Sequence, residues 1–447
     1  MRILFVASEM APLAKVGGLG DVIGSLPKAL AKIGVHGTVV IPRYEMIPRD
    51  SLTLLGDLSH GTMLYQTLAG EVEVILIEND AHLSRGPVYS TADTPMDHKA
   101  ELDRFVFFSQ SVAELLRNGI LTPDIIHCHD WHTGALVQEL AKSEERRAKG
   151  TPKVVFTIHN LANQGIQGMT NWMAEGIKNA DMVTTVSPTY AKEILTPEYG
   201  EKLEPLLKKR SAEGNLIGIL NGIDYDFWDP ETDPYLKERY NERSIAKRAV
   251  NKRALVAELG LASPALPILG LVARLTPQKG IDMIIEAVPA YVKDNAAQFV
   301  FLGKGIAQYE KALQELARAY PAHVAVRFDF DEPLAHRIYA GTDFFLMPSR
   351  FEPCGLGQMV SMRYGTPPIV RDTGGLHDSV AHLLTGFVFK EATTHALEET
   401  MNLALQYYKE KPQELKVMQE RCMAAQFDFS RSAEEYKKVY EKLIASN

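Results

Sequence analysis

Residues 2–30, RILFVASEMAPLAKVGGLGDVIGSLPKAL, join a hydrophobic run to a helical pattern through a turn rich in glycine. The run RILFVAS is typical of a buried β-strand, and the pattern over residues 19–33 is typical of a helix. Glycine allows backbone N–H groups to approach a ligand, and a helix start adds further N–H donors, so this turn suits an anion. Lys15 adds a positive charge just before Gly17 and Gly18. The stretch predicts the first strand and helix of a parallel sheet, with a small phosphate-carrying molecule at their junction.

Short hydrophobic runs alternate with helical patterns along the rest of the chain. The predicted strands include TVVIP, VEVILIE, DIIHCHD, KVVFTIHN, DMVTTVS, LIGILNG, PILGLVAR, QFVFLG, VAVRFDF, DFFLMPS and PPIVRD, and the predicted helices cover residues 103–117, 133–142, 280–293, 307–318, 333–340 and 356–364. Runs of Val, Ile and Leu separated by helices are typical of parallel sheets covered on both faces. Two such sets predict an α/β protein with two doubly wound, Rossmann-like domains.

The division between the two sets lies near the segment DYDFWDPETDPYLKERYNE, residues 224–242. This segment has neither strand nor helix periodicity, which favours an interdomain connection. The predicted domains are residues 1–217 and 218–428, followed by a C-terminal helix at 429–447. One face of that helix is apolar and needs a partner surface, which we expect the first domain to supply. The residues of this face are Tyr436, Val439, Tyr440 and Leu443.

The composition excludes several classes of protein. The 447 residues include 48 basic and 56 acidic ones, a net charge of −8, which disfavours nucleic acid as a partner. The sequence contains no run of about 18 apolar residues, so no membrane span is predicted. The N-terminus also lacks the pattern of a signal peptide. Cys128, Cys354 and Cys422 lie far apart, which favours a reducing compartment; Cys354 has no identifiable base and is expected to be a packing residue. We expect a cytoplasmic address, or the plastid stroma for a mature eukaryotic protein.

Polar and glycine residues follow most of the predicted strands. Ligands of open parallel sheets bind at the carboxyl ends of the strands, so we expect these residues to meet along one edge of each sheet, in a cleft between two facing domains. They include Asp130, His159, Asn160, Arg274, Lys279, Glu352, Gly355, Gly357, Thr373, Gly374 and Gly375. A guanidinium and an ammonium in one loop, ARLTPQKG, are a typical clamp for a diphosphate, and TGGL is a second candidate phosphate cradle. The carboxylate in SRFEPCGLGQ either accepts hydrogen bonds from sugar hydroxyls or complements a helix dipole.

The glycine turn does not match a dinucleotide fingerprint. That fingerprint needs G-x-G-x-x-G, but after Gly18 and Gly20 the third glycine is displaced by one residue, to Gly24. Pro42 and Arg43 also stand where an acidic ribose-binding residue is needed. A nicotinamide-dependent oxidoreductase is therefore disfavoured.

Two motifs contain residues that bind metals in other proteins. In HCHDWH, His127 and His129 point to one face of a strand and Cys128 to the other, which disfavours zinc. Asp329 and Asp331 form a D-x-D pattern, but a three-residue pattern of common residues arises easily by chance. We expect no metal site.

Eight motifs together resemble the bacterial glycogen synthases and the plant and cyanobacterial starch synthases, glycosyltransferase family 5. They are KVGGLGDV, HCHDWHTG, FTIHNLANQG, TVSPTYAKEI, GILNGID, ARLTPQKG, PSRFEPCGLGQ and RDTGGL, in order along the chain. The resemblance implies two facing domains of the GT-B type, with the C-terminal helix returning to the first. It implies transfer of glucose from ADP-glucose, or from UDP-glucose, to the non-reducing end of an α-1,4-glucan. The α configuration would be retained, and neither a metal nor a cofactor would be needed.

The resemblance also implies roles for individual residues. Arg274 and Lys279 match the diphosphate pair, Glu352 the acid that contacts the donor glucose, and His159 the histidine beside the anomeric carbon; these four are the expected catalytic residues. The expected substrate-binding residues are Lys15, Gly17, Gly18, Asp21, Asp130, Asn160, Asn171, Phe330, Cys354, Gly355, Leu356, Gly357, Thr373, Gly374 and Gly375. Among them, Phe330 stands where relatives often carry a Tyr near the adenine.

The chain departs from the family pattern in two places. Only IQGMT, residues 166–170, stands where most bacterial relatives carry a longer insertion beside the acceptor cleft, and Val360 replaces the second glutamate of the wider E-x₇-E pattern. Two alternatives remain: a retaining transferase with a small acceptor, and a glucan- or nucleotide-binding paralogue without catalysis. The presence of the complete charged clamp disfavours the second.

Overall fold

The computed structural model describes residues 1–90, 96–143 and 151–446. They divide into two compact units. Unit 1 comprises Met1–Gly222 with Phe429–Asn447, and unit 2 comprises Ile223–Asp428.

Unit 1 contains a nine-stranded sheet in its described part. Its strands are β1 (Arg2–Val6), β2 (His36–Pro42), β3 (Thr53–Leu58), β4 (Thr62–Ala69), β5 (Val72–Glu78), β6 (Ile125–His129), β7 (Lys153–Ile158), β10 (Met182–Thr185) and β11 (Leu216–Gly218), while β8 (Ile166–Gln167) and β9 (Thr170–Asn171) form a separate hairpin. The order across the sheet is β11-β10-β7-β6-β1-β2-β5-β4-β3. All neighbours are parallel except for the pairs that β4 makes with β3 and β5. The antiparallel edge was not predicted, because β3 is mostly exposed, contains Gly56 and Asp57, and has no clean alternation.

Helices connect the parallel strands of unit 1. They are α1 (Gly18–Lys32), α2 (His98–Arg117), α3 (Gly134–Lys142), α4 (Trp172–Asn179), α5 (Pro188–Glu193) and α6 (Glu204–Ala212), with single 3₁₀ turns at Arg49–Ser51, Ser59–Gly61 and Trp131–Thr133. The buried side of α1, with Val22, Ile23 and Leu26, packs into one core with Phe5 of β1 and Val39 of β2. This core places the carboxyl end of β1 beside the start of α1.

Unit 2 contains a six-stranded, fully parallel sheet. Its strands are β12 (Ile268–Val272), β13 (Gln298–Leu302), β14 (Val324–Arg327), β15 (Phe344–Met347), β16 (Pro368–Arg371) and β17 (Phe387–Phe389), in the order β14-β13-β12-β15-β16-β17. Its helices are α7 (Arg248–Leu259), α8 (Ile281–Lys293), α9 (Ala307–Ala319), α10 (Glu332–Gly341), α11 (Gly357–Arg363), α12 (Gly374–Ser379), α13 (Thr394–Glu410) and α14 (Pro412–Ala424), with 3₁₀ turns at Glu242–Lys247 and Pro277–Lys279. The strands β12, β13 and β15 are almost wholly buried. The predicted α/β class with parallel sheets is confirmed.

The segment at 224–242, expected to connect two domains, is anchored within unit 2. The carboxylate of Asp233 accepts hydrogen bonds from Tyr364 (2.5 Å) and His336 (2.7 Å), and the indole of Trp228 stacks on the imidazole of His336. Unit 1 also extends to Gly222, beyond the predicted limit at residue 217, because the chain stays hydrogen-bonded to the segment of β10 after β11 ends, through the N–H groups of Ile219 and Asn221. Sequence periodicity could not reveal this boundary, since the segment packs through isolated side chains rather than through a regular element.

The C-terminal helix, α15 (Phe429–Ala445), belongs to unit 1. Its apolar face, with Tyr436, Val439, Tyr440 and Leu443, is buried in the same core as α1 and β1. The Ser432 hydroxyl donates a hydrogen bond of 2.5 Å to the carbonyl oxygen of Leu220. Leu220 lies two residues before Gly222, where the first segment of unit 1 ends. The predicted need of this face for a partner surface is confirmed.

Candidate active site

The glycine turn before α1 holds a charged pair. Lys15 is exposed and its ammonium lies 2.6 Å from the carboxylate of Asp21 in the first turn of the helix. Gly17 is the N-cap residue, and Gly18 is exposed at the helix start. The structure therefore brings together four residues that the sequence predicted for one site.

Glu9, which sequence analysis missed, lies under this turn. Its side chain is buried, and one carboxylate oxygen accepts hydrogen bonds from the backbone N–H groups of Val16 (2.5 Å) and Gly17 (3.0 Å). Burial raises the pKa of Glu9 to about 7. The carboxyl group of Glu9 therefore accepts from two backbone N–H groups of the turn that sequence analysis predicted to bind a phosphate. Its position just beyond the end of β1 was the signal that could have identified it.

Close packing explains two glycines of α1. A Cβ at position 20 would lie 3.0 Å from Oε2 of Glu9, and a Cβ at position 24 would lie 2.7 Å from the carbonyl oxygen of Ala11. Gly20 and Gly24 therefore let the helix approach the loop that carries Glu9. Their spacing is therefore explained by this packing and not by a dinucleotide-binding turn.

Asp130 orients the segment that follows β7. It directly follows β6 with a left-handed φ of 56°, and its carboxylate accepts a hydrogen bond from the backbone N–H of His159 at 2.7 Å. Burial raises the pKa of Asp130 to about 7. The structure thus joins Asp130 and His159, which were predicted separately from two strand ends.

The two predicted asparagines are used locally. Asn160 accepts a hydrogen bond from the backbone N–H of Ala162 (3.1 Å). Asn171 caps α4 by accepting from the backbone N–H of Ala174 (2.9 Å), and its amide donates to Gln164. Asn171 therefore has a structural role as the N-cap of α4, a helix that was not among those predicted from the sequence.

The half-buried ring of His159 ends a series of imidazoles whose other members, His129 and His127, are buried. Its Nε2 lies 2.9 Å from Nδ1 of His129, and the ring of His129 packs against that of His127 with centroids 4.2 Å apart. His127 in turn contacts the hydroxyl of Tyr440 on α15 (2.8 Å) and that of Thr157 on β7 (2.6 Å). Burial lowers the pKa of His159 to about 3 and those of His127 and His129 well below the usual value. All three rings are therefore neutral at pH 7.

In unit 2, the half-buried Lys279 forms an ion pair with the buried Glu352. The Lys279 ammonium donates to Oε2 of Glu352, and the Ser349 hydroxyl donates to the same oxygen at 2.9 Å. Gly280, with a φ of 67°, makes this possible because a Cβ there would lie 2.2 Å from the carbonyl oxygen of Pro348. Arg274 is exposed at the end of β12, and its guanidinium makes no hydrogen bond or ion pair with any residue in the described ranges. In the loop that holds the predicted cationic pair, Lys279 is thus engaged by Glu352, whereas the exposed guanidinium of Arg274 is available to a ligand.

The loop after β15 packs against the TGGL turn after β16. The backbone N–H of Gly375 donates to the carbonyl oxygen of Glu352 (3.0 Å), and a Cβ at position 375 would lie 2.1 Å from the carbonyl oxygen of Cys354. Thr373 and Gly374 are buried beside it. The predicted phosphate cradle therefore supports the loop of Glu352 with at least one of its amides.

The rest of this loop leads into α11. Cys354 is buried, in agreement with its predicted packing role, Gly355 has a φ of 72°, and Leu356 and Gly357 begin the helix. The side-chain amide of Gln358 donates to the carbonyl oxygens of Cys354 (3.2 Å) and Gly355 (2.9 Å). This amide fixes the course of the loop.

Phe330 and the D-x-D motif lie just before α10. The ring of Phe330 is 80% exposed, so it is available to a ligand. The carboxylate of Asp331 caps the helix by accepting from the backbone N–H of Leu334 (2.8 Å). Across residues 1–90, 96–143 and 151–446, no three His, Cys, Asp or Glu side chains are grouped as metal ligands would be.

Each unit has an α/β fold, with a mainly parallel sheet in unit 1 and a fully parallel sheet in unit 2, and together with the similarities that follow this defines the class of the protein as a GT-B glycosyltransferase. The sequence matches the family of the starch synthase catalytic domain over residues 2–209 and that of glycosyl transferases group 1 over residues 261–418.

In the part of the chain that is described, no helix has the length and apolar character needed to cross a membrane.

The chain belongs to the glycogen synthase and starch synthase family. It is 39% identical to the glycogen synthase of Thermodesulfovibrio yellowstonii, over 99% of this chain and 98% of that protein. It is 40% identical to the glycogen synthase of Geotalea uraniireducens, over 100% of this chain and 99% of that protein. The catalytic domain of starch synthase IV from Arabidopsis thaliana, solved with ADP and acarbose, has 32% identity and a TM-score of 0.89, with 99% of each chain covered. A sucrose-phosphate synthase from Thermosynechococcus elongatus, at 19% identity and a TM-score of 0.64, shares the fold.

Proposed function

We propose that this protein transfers glucose from ADP-glucose to the non-reducing end of an α-1,4-glucan, with retention of the α configuration. The observation that carries the proposal is its identity of 39–40% to glycogen synthases over nearly the whole length of each chain. The ADP and acarbose bound to the related starch synthase support the choice of nucleotide and of a glucan-like acceptor.

The cationic groups of unit 2 suit a departing diphosphate. Breaking the bond between glucose and ADP leaves negative charge on the β-phosphate. Arg274 presents an exposed guanidinium, and the Lys279 ammonium is held half-buried by Glu352. A donor placed where charge develops contributes about 3 kcal/mol to transition-state stabilisation. We assign both cations to the leaving group.

Glu352 suits recognition of the donor sugar. One carboxylate oxygen is occupied by Lys279 and Ser349, so the other, Oε1, is left to accept from a sugar hydroxyl. A carboxylate that is buried and neutralised by an ammonium is a poor nucleophile. We therefore assign Glu352 to binding and orientation of the glucose.

The groups of unit 1 suit the sugar and acceptor side. Lys15 is exposed at the glycine turn, and His159 is neutral and half-buried at the end of β7. The carboxylates of Glu9 and Asp130 are both bound to backbone amides. Because the nearby carboxylates are engaged, we favour attack on the glucosyl cation from the face that ADP leaves, with the departing phosphate accepting the proton of the acceptor hydroxyl. No metal ion and no cofactor are part of this proposal.

The test is release of nucleoside diphosphate from ADP-glucose and from UDP-glucose, each with and without glycogen, together with NMR analysis of the new linkage. We expect release from ADP-glucose that depends on glycogen and forms α-1,4 bonds. The Lys279→Ala variant serves as the control for contaminating activity. Glycogen-independent release would overturn the assignment of a glucan acceptor, and a faster reaction with UDP-glucose would overturn the choice of donor.

A further inference from the structure

The contact between His129 and His159 contains a single N–H. Nδ1 of His129 and Nε2 of His159 are 2.9 Å apart, so one nitrogen donates and the other accepts. Both rings are neutral, because burial lowers both pKa values. A neutral imidazole carries its proton on one nitrogen only. The direction of this one bond therefore determines which nitrogen of His159 carries a proton.

The second nitrogen of His129 decides the direction. Nε2 of His129 is fully buried and has no hydrogen-bond partner among the described residues. If His129 accepted at Nδ1, its proton would lie on Nε2 as a buried donor without an acceptor. If it donates at Nδ1, its Nε2 is only an acceptor without a donor. Buried N–H groups without partners are the rarer and more costly case, so His129 donates to His159.

Neighbouring groups hold the His129 ring in this position. It lies against the ring of His127, with centroids 4.2 Å apart, and against that of Phe5, with centroids 6.2 Å apart. Both nitrogens of His127 are bound, to Tyr440 and to Thr157. His127 therefore offers no free ring nitrogen with which His129 could pair in another orientation.

We propose that His129 is a positioning residue that holds His159 in the tautomer with its proton on Nδ1. His159 then presents an N–H donor to an oxygen of the substrate and has no lone pair there to act as a base. On the proposed function, this oxygen belongs to the donor sugar or its phosphate. The backbone of His159 is fixed independently by Asp130 (2.7 Å), so the two contacts together set both the place and the chemistry of the ring.

Asparagine and aspartate have nearly the same shape, so a comparison of these two substitutions at position 129 separates the tautomer role from packing. His129→Asn retains an N–H donor near the position of Nδ1, whereas His129→Asp offers only acceptor oxygens there. With Asp, His159 must donate from Nε2, so Nδ1 loses its proton at neutral pH. We expect His129→Asn to stay within about threefold of wild-type kcat/KM and His129→Asp to lose at least about tenfold, as when a supporting partner of a functional histidine is removed.

The pH profile adds a signature that a packing defect would not produce. In His129→Asp, the carboxylate that faces His159 raises the pKa of this imidazole above its low wild-type value. Protonation of His159 to imidazolium then restores an N–H at Nδ1, so kcat/KM of this variant should rise as the pH falls. Wild type and His129→Asn should show no such rise. Equal activities and identical pH profiles for the Asn and Asp variants would overturn the proposal.

The tautomer can also be measured in the resting wild-type protein. Histidine-selective ¹⁵N labelling, with the His159 signals assigned by their loss in His159→Asn, shows which ring nitrogen bears the proton. A proton on Nδ1 is expected, and a proton on Nε2 would overturn the proposal. This measurement needs no substrate and no variant at position 129, so it stands even if His129→Asp does not fold or the proposed function fails.

Discussion

The buried carboxyl group of Glu9 makes the stability of unit 1 depend on pH. Burial raises its pKa from 4.5 to about 7, so between these values the folded unit binds more protons than the unfolded chain. The free energy of unfolding therefore falls as the pH rises through this range. At about 1.4 kcal/mol for each pH unit, Glu9 alone accounts for a loss of about 3 kcal/mol by the time the pH exceeds 7.

Glu9→Gln is the perturbation that isolates this effect. One oxygen of Glu9 accepts from both Val16 and Gly17, and the amide oxygen of a glutamine can accept the same two bonds without a charge. We expect Glu9→Gln to exceed wild type in stability by about 3 kcal/mol near pH 8, and by much less near pH 5. The variant keeps part of the pH dependence, because the pKa of Asp130 is also about 7.

The assay must report on unit 1 alone, since a chain with two units need not unfold in one step. Of the three tryptophans, Trp131 and Trp172 lie in unit 1 and Trp228 in unit 2. Urea unfolding followed by fluorescence in a Trp228→Phe background therefore reports on unit 1. In this background, the measurement compares the chain that retains Glu9 with Glu9→Gln and with a Glu9→Met control, which lacks both the charge and the acceptor.

The control separates charge from hydrogen bonding. Glu9→Met leaves two backbone amides without an acceptor and should be less stable than Glu9→Gln by about 1–3 kcal/mol at every pH. If wild type and Glu9→Gln show the same stability from about pH 5 to about pH 8, the reasoning is refuted, since Glu9 would then titrate near its usual value.

Three further substitutions test other parts of the structure. Lys279→Ala should lower turnover by about 100-fold or more and destabilise unit 2 by about 3 kcal/mol, because it leaves Glu352 buried without its ammonium; near-normal kinetics would remove Lys279 from the mechanism. Tyr440→Phe deletes the hydroxyl that contacts His127 and should cost about 1 kcal/mol in urea unfolding of unit 1, whereas unchanged stability would show that this bond contributes nothing. Phe330→Ala should leave stability within about 0.5 kcal/mol, because the ring is 80% exposed, but raise the KM for ADP-glucose several-fold. An unchanged KM would exclude contact of this ring with the nucleotide.

Local patterns were enough to predict the fold class and the expected place of the site. Buried hydrophobic runs of strand length alternate with helical patterns, and this alternation depends only on residues near one another in the chain. The rule that ligands bind at the carboxyl ends of parallel strands then selected Asp130, His159, Arg274, Lys279 and Glu352. The antiparallel edge formed by β3 and β4 was missed, because its residues are too exposed and irregular to show a strand period.

The sequence by itself determined which chemical groups stand at the strand ends, since each follows its strand by only a few residues. Only the tertiary structure decided which of these groups meet. Lys279 and Glu352 are 73 positions apart, and His127 and Tyr440 are 313 positions apart. Their contacts depend on strand order and helix packing, which local periodicity does not encode. For the same reason, only the folded chain shows that Glu9 accepts from two backbone amides of the glycine turn and that His129 contacts His159.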